Sequence, residues 1–297
     1  MNELQRYLVE EAVEDYEDGR LSRREALKAI AGITGAALAA QMLEARAQVA
    51  PAGKAPASSA PLVAPNDPSI IAGIAEFPGE GVRLDGYLAR PAGTGRHAVV
   101  LVCHENRGLT RHIEDVTRRV AKAGYVGLAV DLLSREGGTA KHEFDAIPGI
   151  LGKAAPARHV QDFKSGLAYA RYLPWARTDR VGMTGFCFGG AVTWRVAAGV
   201  PDLRAAVPFY GVPVQEPDVP GIGAAVLAIY GGLDERINQN IPAIEAAMAK
   251  NHKTFRKIVY PNVEHAFHND SGARYNADAA KAAWGEALAW FGKYLGA

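Results

Sequence analysis

Arg180-Val181-Gly182-Met183-Thr184-Gly185-Phe186-Cys187-Phe188-Gly189-Gly190 is the stretch that decides how this chain is read. Arg180 to Thr184 reads as a strand and Phe188 to Ala198 as a helix. A Gly-x-Cys-x-Gly turn between them is the nucleophile-elbow pattern, with cysteine at its centre. The turn is so tight that the flanking residues must lack bulk, and the central side chain is forced out at the top of the sheet. It also stands at a helix N-terminus, where the dipole favours a thiolate. The N–H of Phe188 then points to where an oxyanion would form. The plainer alternative for Cys187 is a small buried hydrophobe. The turn lacks the Gly-Lys-Ser/Thr ending of a phosphate loop and the glycine spacing of a dinucleotide site.

Outward from this turn, short apolar runs alternate with longer amphipathic ones. Ile70 to Phe77 and Val82 to Ala89 look like an antiparallel pair at one edge. His97 to Cys103 is nearly continuous in apolar residues, as expected of a strand covered on both faces. Arg111 to Ala123 reads as a helix stopped by Gly124, Tyr125 to Val130 as a strand, and Val160 to Tyr172 as a helix. Strands at Ala205 to Phe209, Ala224 to Tyr230 and Lys253 to Tyr260 follow, with helices at Ile241 to Asn251 and Ala277 to Tyr294. This alternation predicts an α/β fold: a mostly parallel, doubly wound sheet with helices on both faces. Ligands of such sheets bind beyond the carboxyl ends of the strands.

Candidate residues fall at those ends. Asp234 follows Gly231-Gly232-Leu233, just past the strand ending at Tyr230. His265 follows Pro261-Asn262-Val263-Glu264, past the strand ending at Tyr260. The order Cys187, Asp234, His265 is the nucleophile–acid–base order of α/β-hydrolases. Asp234 would fix the imidazole tautomer and His265 would shuttle the proton. His268 is the nearest rival base, and its position three residues on suggests the pocket rim; Glu235 and Glu264 are lesser rivals for the acid. A turn aspartate and a structural histidine are the plain alternatives for either residue alone. After Cys103 comes His104-Glu105-Asn106-Arg107-Gly108, the loop expected to supply the second oxyanion donor, the N–H of Asn106. Glu105 beside a thiol would disfavour the thiolate until substrate arrives; the alternative is a surface ion pair with Arg107 or Arg111.

From about residue 70 to its end the chain resembles the dienelactone hydrolase (carboxymethylenebutenolidase) family of α/β-hydrolases. The matching segments are His104-Glu105-Asn106-Arg107-Gly108, Gly124-Tyr125 followed by Asp131-Leu132, Gly185 to Gly190, Tyr210-Gly211, Asp234 and His265-Ala266-Phe267. The resemblance implies Cys187 as nucleophile, His265 as base, Asp234 as orienter and Glu105 as the control on the thiol's charge. In dienelactone-cleaving members two arginines hold the substrate carboxylate. Arg135 matches the first; the second would fall near Asn269, which lacks a guanidinium, and Ala266 stands where those members have serine. Arg274 and Tyr275 lie close by as substitutes, with His268. The expected activity is acyl transfer from a lactone or small carboxylic ester to Cys187 and then to water, with no metal or organic cofactor. The other reading is a non-catalytic exported binding protein that keeps the fold.

The first 47 residues read differently. Met1 to Arg20 is charged and helix-prone, Arg23-Arg24 precedes a charge-free stretch from Ala29 to Leu43, and Ala45-Arg46-Ala47 has the small-x-small form of a signal-peptidase site. Together they resemble a twin-arginine export signal and predict a periplasmic or secreted protein. The alternative is a cytoplasmic protein that keeps a helical hairpin packed on the domain, with Ser22 as an N-cap. Residues 48–68 read as a Pro/Ala-rich linker and 69–297 as the hydrolase domain. The 297 residues carry 33 basic and 32 acidic side chains, a balance that argues against a nucleic-acid partner. No apolar run is long enough to span a membrane, and a monomer or homodimer acting on a small molecule is expected. Two cysteines exclude a disulfide scaffold, although a Cys103–Cys187 bridge would silence the enzyme.

Overall fold

The computed structural model describes residues 1–17, 19–44 and 60–296. Eight strands form one sheet: β1 (Ile70–Pro78), β2 (Arg83–Pro91), β3 (His97–Cys103), β4 (Val126–Val130), β5 (Ala176–Phe186), β6 (Leu203–Phe209), β7 (Ala225–Gly231) and β8 (Phe255–Tyr260). Their spatial order is β1-β2-β4-β3-β5-β6-β7-β8. The β1–β2 and β2–β4 pairings are antiparallel and the rest are parallel. β3, β4 and β7 are buried almost throughout, which is why they read as unbroken apolar runs.

Helices cover both faces. Gly127 of β4 lies so close to Thr117 of α4 (Arg111–Lys122) that a Cβ there would stand 2.8 Å from the Thr117 carbonyl oxygen. Leu128, the next residue, and Val130, two further on, instead meet Gly166 of a second helix. Successive side chains of a strand point to opposite faces, so the two helices lie on opposite sides of the sheet. A short helix, α5 (Ile147–Lys153), which the sequence did not signal, leads into that second helix, α6 (Pro156–Ala170). α6 begins four residues ahead of the expected Val160, because Pro156 suits a first helical turn. The remaining helices are α7 (Phe188–Gly199), α8 (Glu235–Asn238), α9 (Ile241–Lys250) and α10 (Ala277–Leu295).

The N-terminal segment is helical and packed on the domain. By chain position its helices precede those above, and they are labelled αN1 (Glu3–Glu17), αN2 (Arg23–Thr34) and αN3 (Ala36–Glu44). Ser22 caps αN2 in a reciprocal box with Glu25: the Glu25 N–H donates to Ser22 Oγ and the Ser22 N–H donates to Glu25 Oε2 at 2.7 Å. αN2 rests on α5 through two glycines; a Cβ on Gly32 would stand 2.8 Å from Gly149 Cα. Lys28 pairs with Asp145 at 2.7 Å. The expected cleavage site, Ala45-Arg46-Ala47, and residues 48–59 of the expected linker lie outside the described residues. The end of that linker is anchored. Asp115 accepts the N–H groups of Leu62 and Val63 at 3.0 and 2.9 Å, and Val63 packs with Ile70, Ala89 and Ala121. The packed domain therefore begins several residues before position 69.

Candidate active site

β5 delivers Cys187 to the N-cap of α7 with φ 58° and ψ −120°. That conformation costs a non-glycine residue about 1–3 kcal/mol. It is held by the Cys187 N–H, which donates to Phe209 O at 3.1 Å. The neighbouring glycines are steric requirements. A Cβ on Gly185 would stand 2.2 Å from Gly189 O, and one on Gly189 would stand 2.4 Å from His104 O. Phe188 opens α7, among the helix N–H groups that have no partner within the helix.

Asp234 caps α8, accepting the Ile237 N–H at 3.3 Å through Oδ1. Its Oδ2 lies 2.6 Å from His265 Nδ1. Burial works to raise the Asp234 carboxyl, but the facing imidazole, its hydrogen bond and Arg236 outweigh that and hold it below its usual value. His265 lies in the turn after β8, whose next residue, Ala266, takes φ 60°. The Cys187 sulfur, a His265 nitrogen and a Glu11 carboxylate oxygen all lie within 4.8 Å of one another. Among the described residues this is the one group of three close side chains able to hold a metal ion. Within it Cys187 is hydrogen-bonded to Glu11, and His265 Nε2 stands 3.7 Å from Glu11 Oε1.

Glu105 is buried beside this group and pairs with neither Arg107 nor Arg111. It accepts a short hydrogen bond from Asn269 Nδ2. Burial raises its carboxyl, and His112, His265 and Asn269 oppose the rise. His104 shapes the loop: Nδ1 donates to Glu105 O at 2.6 Å and Nε2 accepts the Leu132 N–H at 3.2 Å. That pairing selects the Nδ1–H tautomer. Burial, then the carboxylates of Glu11 and Glu105, push the Cys187 thiol well above its ordinary value.

Two groups at the nucleophile come from αN1. The Tyr7 hydroxyl stands 3.2 Å from Cys187 Sγ and 3.3 Å from His265 Nε2. Glu11 Oε1 accepts from Cys187 Sγ at 3.1 Å. Burial alone would raise the Glu11 carboxyl, but His265, Arg236 and the thiol bring it below its usual value. A cavity of about 220 Å³ reaches Cys187 between αN1 and the loops carrying Asn106, Asn269 and Arg274.

Several expected substrate residues stand elsewhere or are already engaged. Arg135 pairs with Asp162 of α6 at 2.8 Å and donates to Glu80 O at 3.0 Å, and it does not line the cavity. His268 is not on a rim: it is fully buried, stacked on Phe186 at 4.9 Å and tilted against Phe209 and Trp284. Tyr275 is exposed and does not line the cavity. Arg274 does line it, held by Asp15 at 3.2 Å. Cys103 is a buried free thiol in β3, and Cys187 is likewise free. Asn269, at the place where the resemblance puts the second arginine, instead holds Glu105, whereas Tyr7 and Glu11 carry no local sequence signal for a place at this site. Tyr7 and Glu11 are separated from Cys187 by 180 and 176 positions.

Comparison with known proteins bears on the family and the fold. The model of the dienelactone hydrolase family matches residues 84–295. A Methylorubrum extorquens protein named "Putative carboxymethylenebutenolidase" is 34% identical over 252 residues, 80% of this chain and 87% of that protein. A Bradyrhizobium sp protein named "Probable 2-oxo-3-(5-oxofuran-2-ylidene)propanoate lactonase" is 30% identical over 221 residues, 70% of this chain and 89% of its own. The crystal structure of a "Putative Dienelactone Hydrolase" from Klebsiella pneumoniae superposes with a TM-score of 0.71 at 32% identity, covering 76% of this chain and 99% of that one.

Proposed function

Because the chain belongs to the dienelactone hydrolase family, we propose that it hydrolyses lactones or small carboxylic esters with Cys187 as nucleophile, His265 as base and Asp234 as its orienter. The observation that carries this reading is the 2.6 Å Asp234–His265 bond beside an elbow thiol. His265 Nε2 takes the thiol proton, and the sulfur attacks the acyl carbon. The N–H groups of Phe188 and Asn106 receive the oxyanion, each such donor being worth about 3–4 kcal/mol. As the tetrahedral species collapses, the C–O bond breaks and the imidazolium returns its proton to the leaving oxygen. For a lactone that oxygen stays on the acyl chain. Water, deprotonated by His265, then cleaves the thioester and restores the thiol. Glu105 keeps the free enzyme's sulfur protonated. Arg274 supplies a cation for a substrate carboxylate once its pairing with Asp15 is broken, and Arg135 does so only if its pairing with Asp162 is broken.

The test compares hydrolysis of p-nitrophenyl acetate and a dienelactone by the wild type and Cys187→Ala. Loss of both activities in the variant is expected, and equal rates would reject Cys187. Export belongs to the same proposal, since Arg23 and Arg24 are exposed at the start of αN2. N-terminal sequencing of protein from its native cells should find a chain starting after Ala47; a start at Met1 would reject export with cleavage.

A further inference from the structure

The Tyr7 hydroxyl lies between nucleophile and base, 3.2 Å from one and 3.3 Å from the other. In the proposed reaction that space must hold the bond being broken, because the leaving oxygen receives its proton there from His265. Glu11 holds the sulfur from another side at 3.1 Å. Helix αN1 thus fills the reacting position with a side chain that no esterase could cleave, and its carboxylate opposes formation of the thiolate.

The attachment of this helix combines charge and apolar contact. Glu3 pairs with Arg195 at 2.7 Å, Glu14 with Arg236 at 2.8 Å and Asp15 with Arg274 at 3.2 Å. The Arg236 guanidinium also lies over the Tyr7 ring, 4.7 Å from its centroid. Leu4, Tyr7 and Leu8 join the main core. Two features favour release of the segment as a unit. Val9, Ala12, Val13 and Tyr16 of αN1 pack with Ala26, Ala29 and Ile30 of αN2 and with Leu43 of αN3 in a cluster separate from the main core. Glu11 Oε2 is buried with no hydrogen-bond partner, a cost that ends when the helix lifts into water.

We propose that the N-terminal helices are an intramolecular inhibitor, with Tyr7 and Glu11 occupying the acyl site until the segment is withdrawn. The proposal rests on the reading of Cys187 as the nucleophile. The segment that closes the site is the one whose sequence resembles a removable export signal, so processing after Ala47 would convert a latent precursor into an open enzyme. Withdrawal would also release Arg274 and Arg236 from their carboxylate partners, leaving cations beside the thiol.

The experiment uses the full chain. Glu3→Lys/Glu14→Lys reverses two charges on the half-exposed side of αN1 and leaves the hydrolase domain untouched. Tyr7→Ala removes the blocking hydroxyl in a second variant. Iodoacetamide alkylation of Cys187 is followed alongside p-nitrophenyl acetate turnover, with Cys187→Ala as background. Both variants should be alkylated at least about tenfold faster than wild type, equivalent to about 1.4 kcal/mol in the docking equilibrium. Turnover should rise with alkylation, and salt should speed alkylation of the wild type by screening the ion pairs. Unchanged alkylation in both variants, with melting curves that show folded protein, overturns the proposal. Alkylation that rises while turnover falls also overturns it, because αN1 would then be building the working site. Turnover that persists in Cys187→Ala would instead defeat the reading of the nucleophile, so the two failures are distinguishable.

Discussion

Asp234→Asn tests the centre of the proposed chemistry. Once His265 takes the thiol proton, an imidazolium stands 2.6 Å from the Asp234 carboxylate, with both side chains buried. Two unit charges at that separation attract by about 6 kcal/mol at an effective dielectric near 20. An asparagine keeps a neutral hydrogen bond worth about 1 kcal/mol. It also caps α8 as well as aspartate does, so the fold should hold. If the amide turns its NH₂ toward Nδ1, the imidazole must carry its proton on Nε2, where a base is needed. A net loss of about 3–5 kcal/mol of transition-state stabilisation is expected, roughly 10²- to 10⁴-fold in kcat/KM. The assay is p-nitrophenyl acetate hydrolysis in the Glu3→Lys/Glu14→Lys background, so that access to the thiol does not mask the chemical step. A loss smaller than about fivefold would refute the assignment of Asp234 as the orienting acid.

Glu105→Gln removes one of the carboxylates that, after burial, raise the Cys187 thiol. The pH midpoint of iodoacetamide alkylation should move down, and an upward shift would reject that role. Gly189→Ala would place a methyl 2.4 Å from His104 O and 2.6 Å from Cys103 O, both backbone atoms. Urea unfolding should show a loss of at least about 2 kcal/mol, accompanied by loss of alkylation selectivity at Cys187. His159 is buried edge-on to Phe188, and burial, aided by nearby Arg158, lowers its pKa to about 3. The folded value lies below the unfolded one, near 6.5, so its contribution is present above pH 6.5 and fades as pH falls toward 3. By pH 3 the loss should reach about 4 kcal/mol. Stability of His159→Phe, followed by urea titration, should depend less on pH across that window than stability of the wild type.

What the sequence revealed follows the range of the forces involved. The elbow was legible because its steric demands fall on Gly185 and Gly189, two positions either side of Cys187 in the chain. Asp234 and His265 were singled out by their positions past β7 and β8, since apolar strand runs are local signals, and the structure brings them within 2.6 Å of each other. Arg135 illustrates the limit: its partner, Asp162, is 27 positions away, and such a pairing leaves no local trace. His268 was expected at the rim by counting along a turn, but it enters a slab formed by Phe186, Phe209 and Trp284. αN1 was read as part of an export signal or as a helix packed on the domain, and neither reading placed Tyr7 and Glu11 at the thiol, because Glu3, Glu14 and Asp15 meet arginines contributed by three distant parts of the chain.

Gly32 answers to two demands at once. In the proposed leader it would merely dilute a greasy stretch, a task that serine or alanine would do as well. Against Gly149 it is the residue without which two backbones could not touch. A substitution there that looks harmless to a translocation machine would wedge the helices apart. If export and inhibition are both as proposed, the same mutant should cross the membrane normally and yet unseat the segment before it gets there.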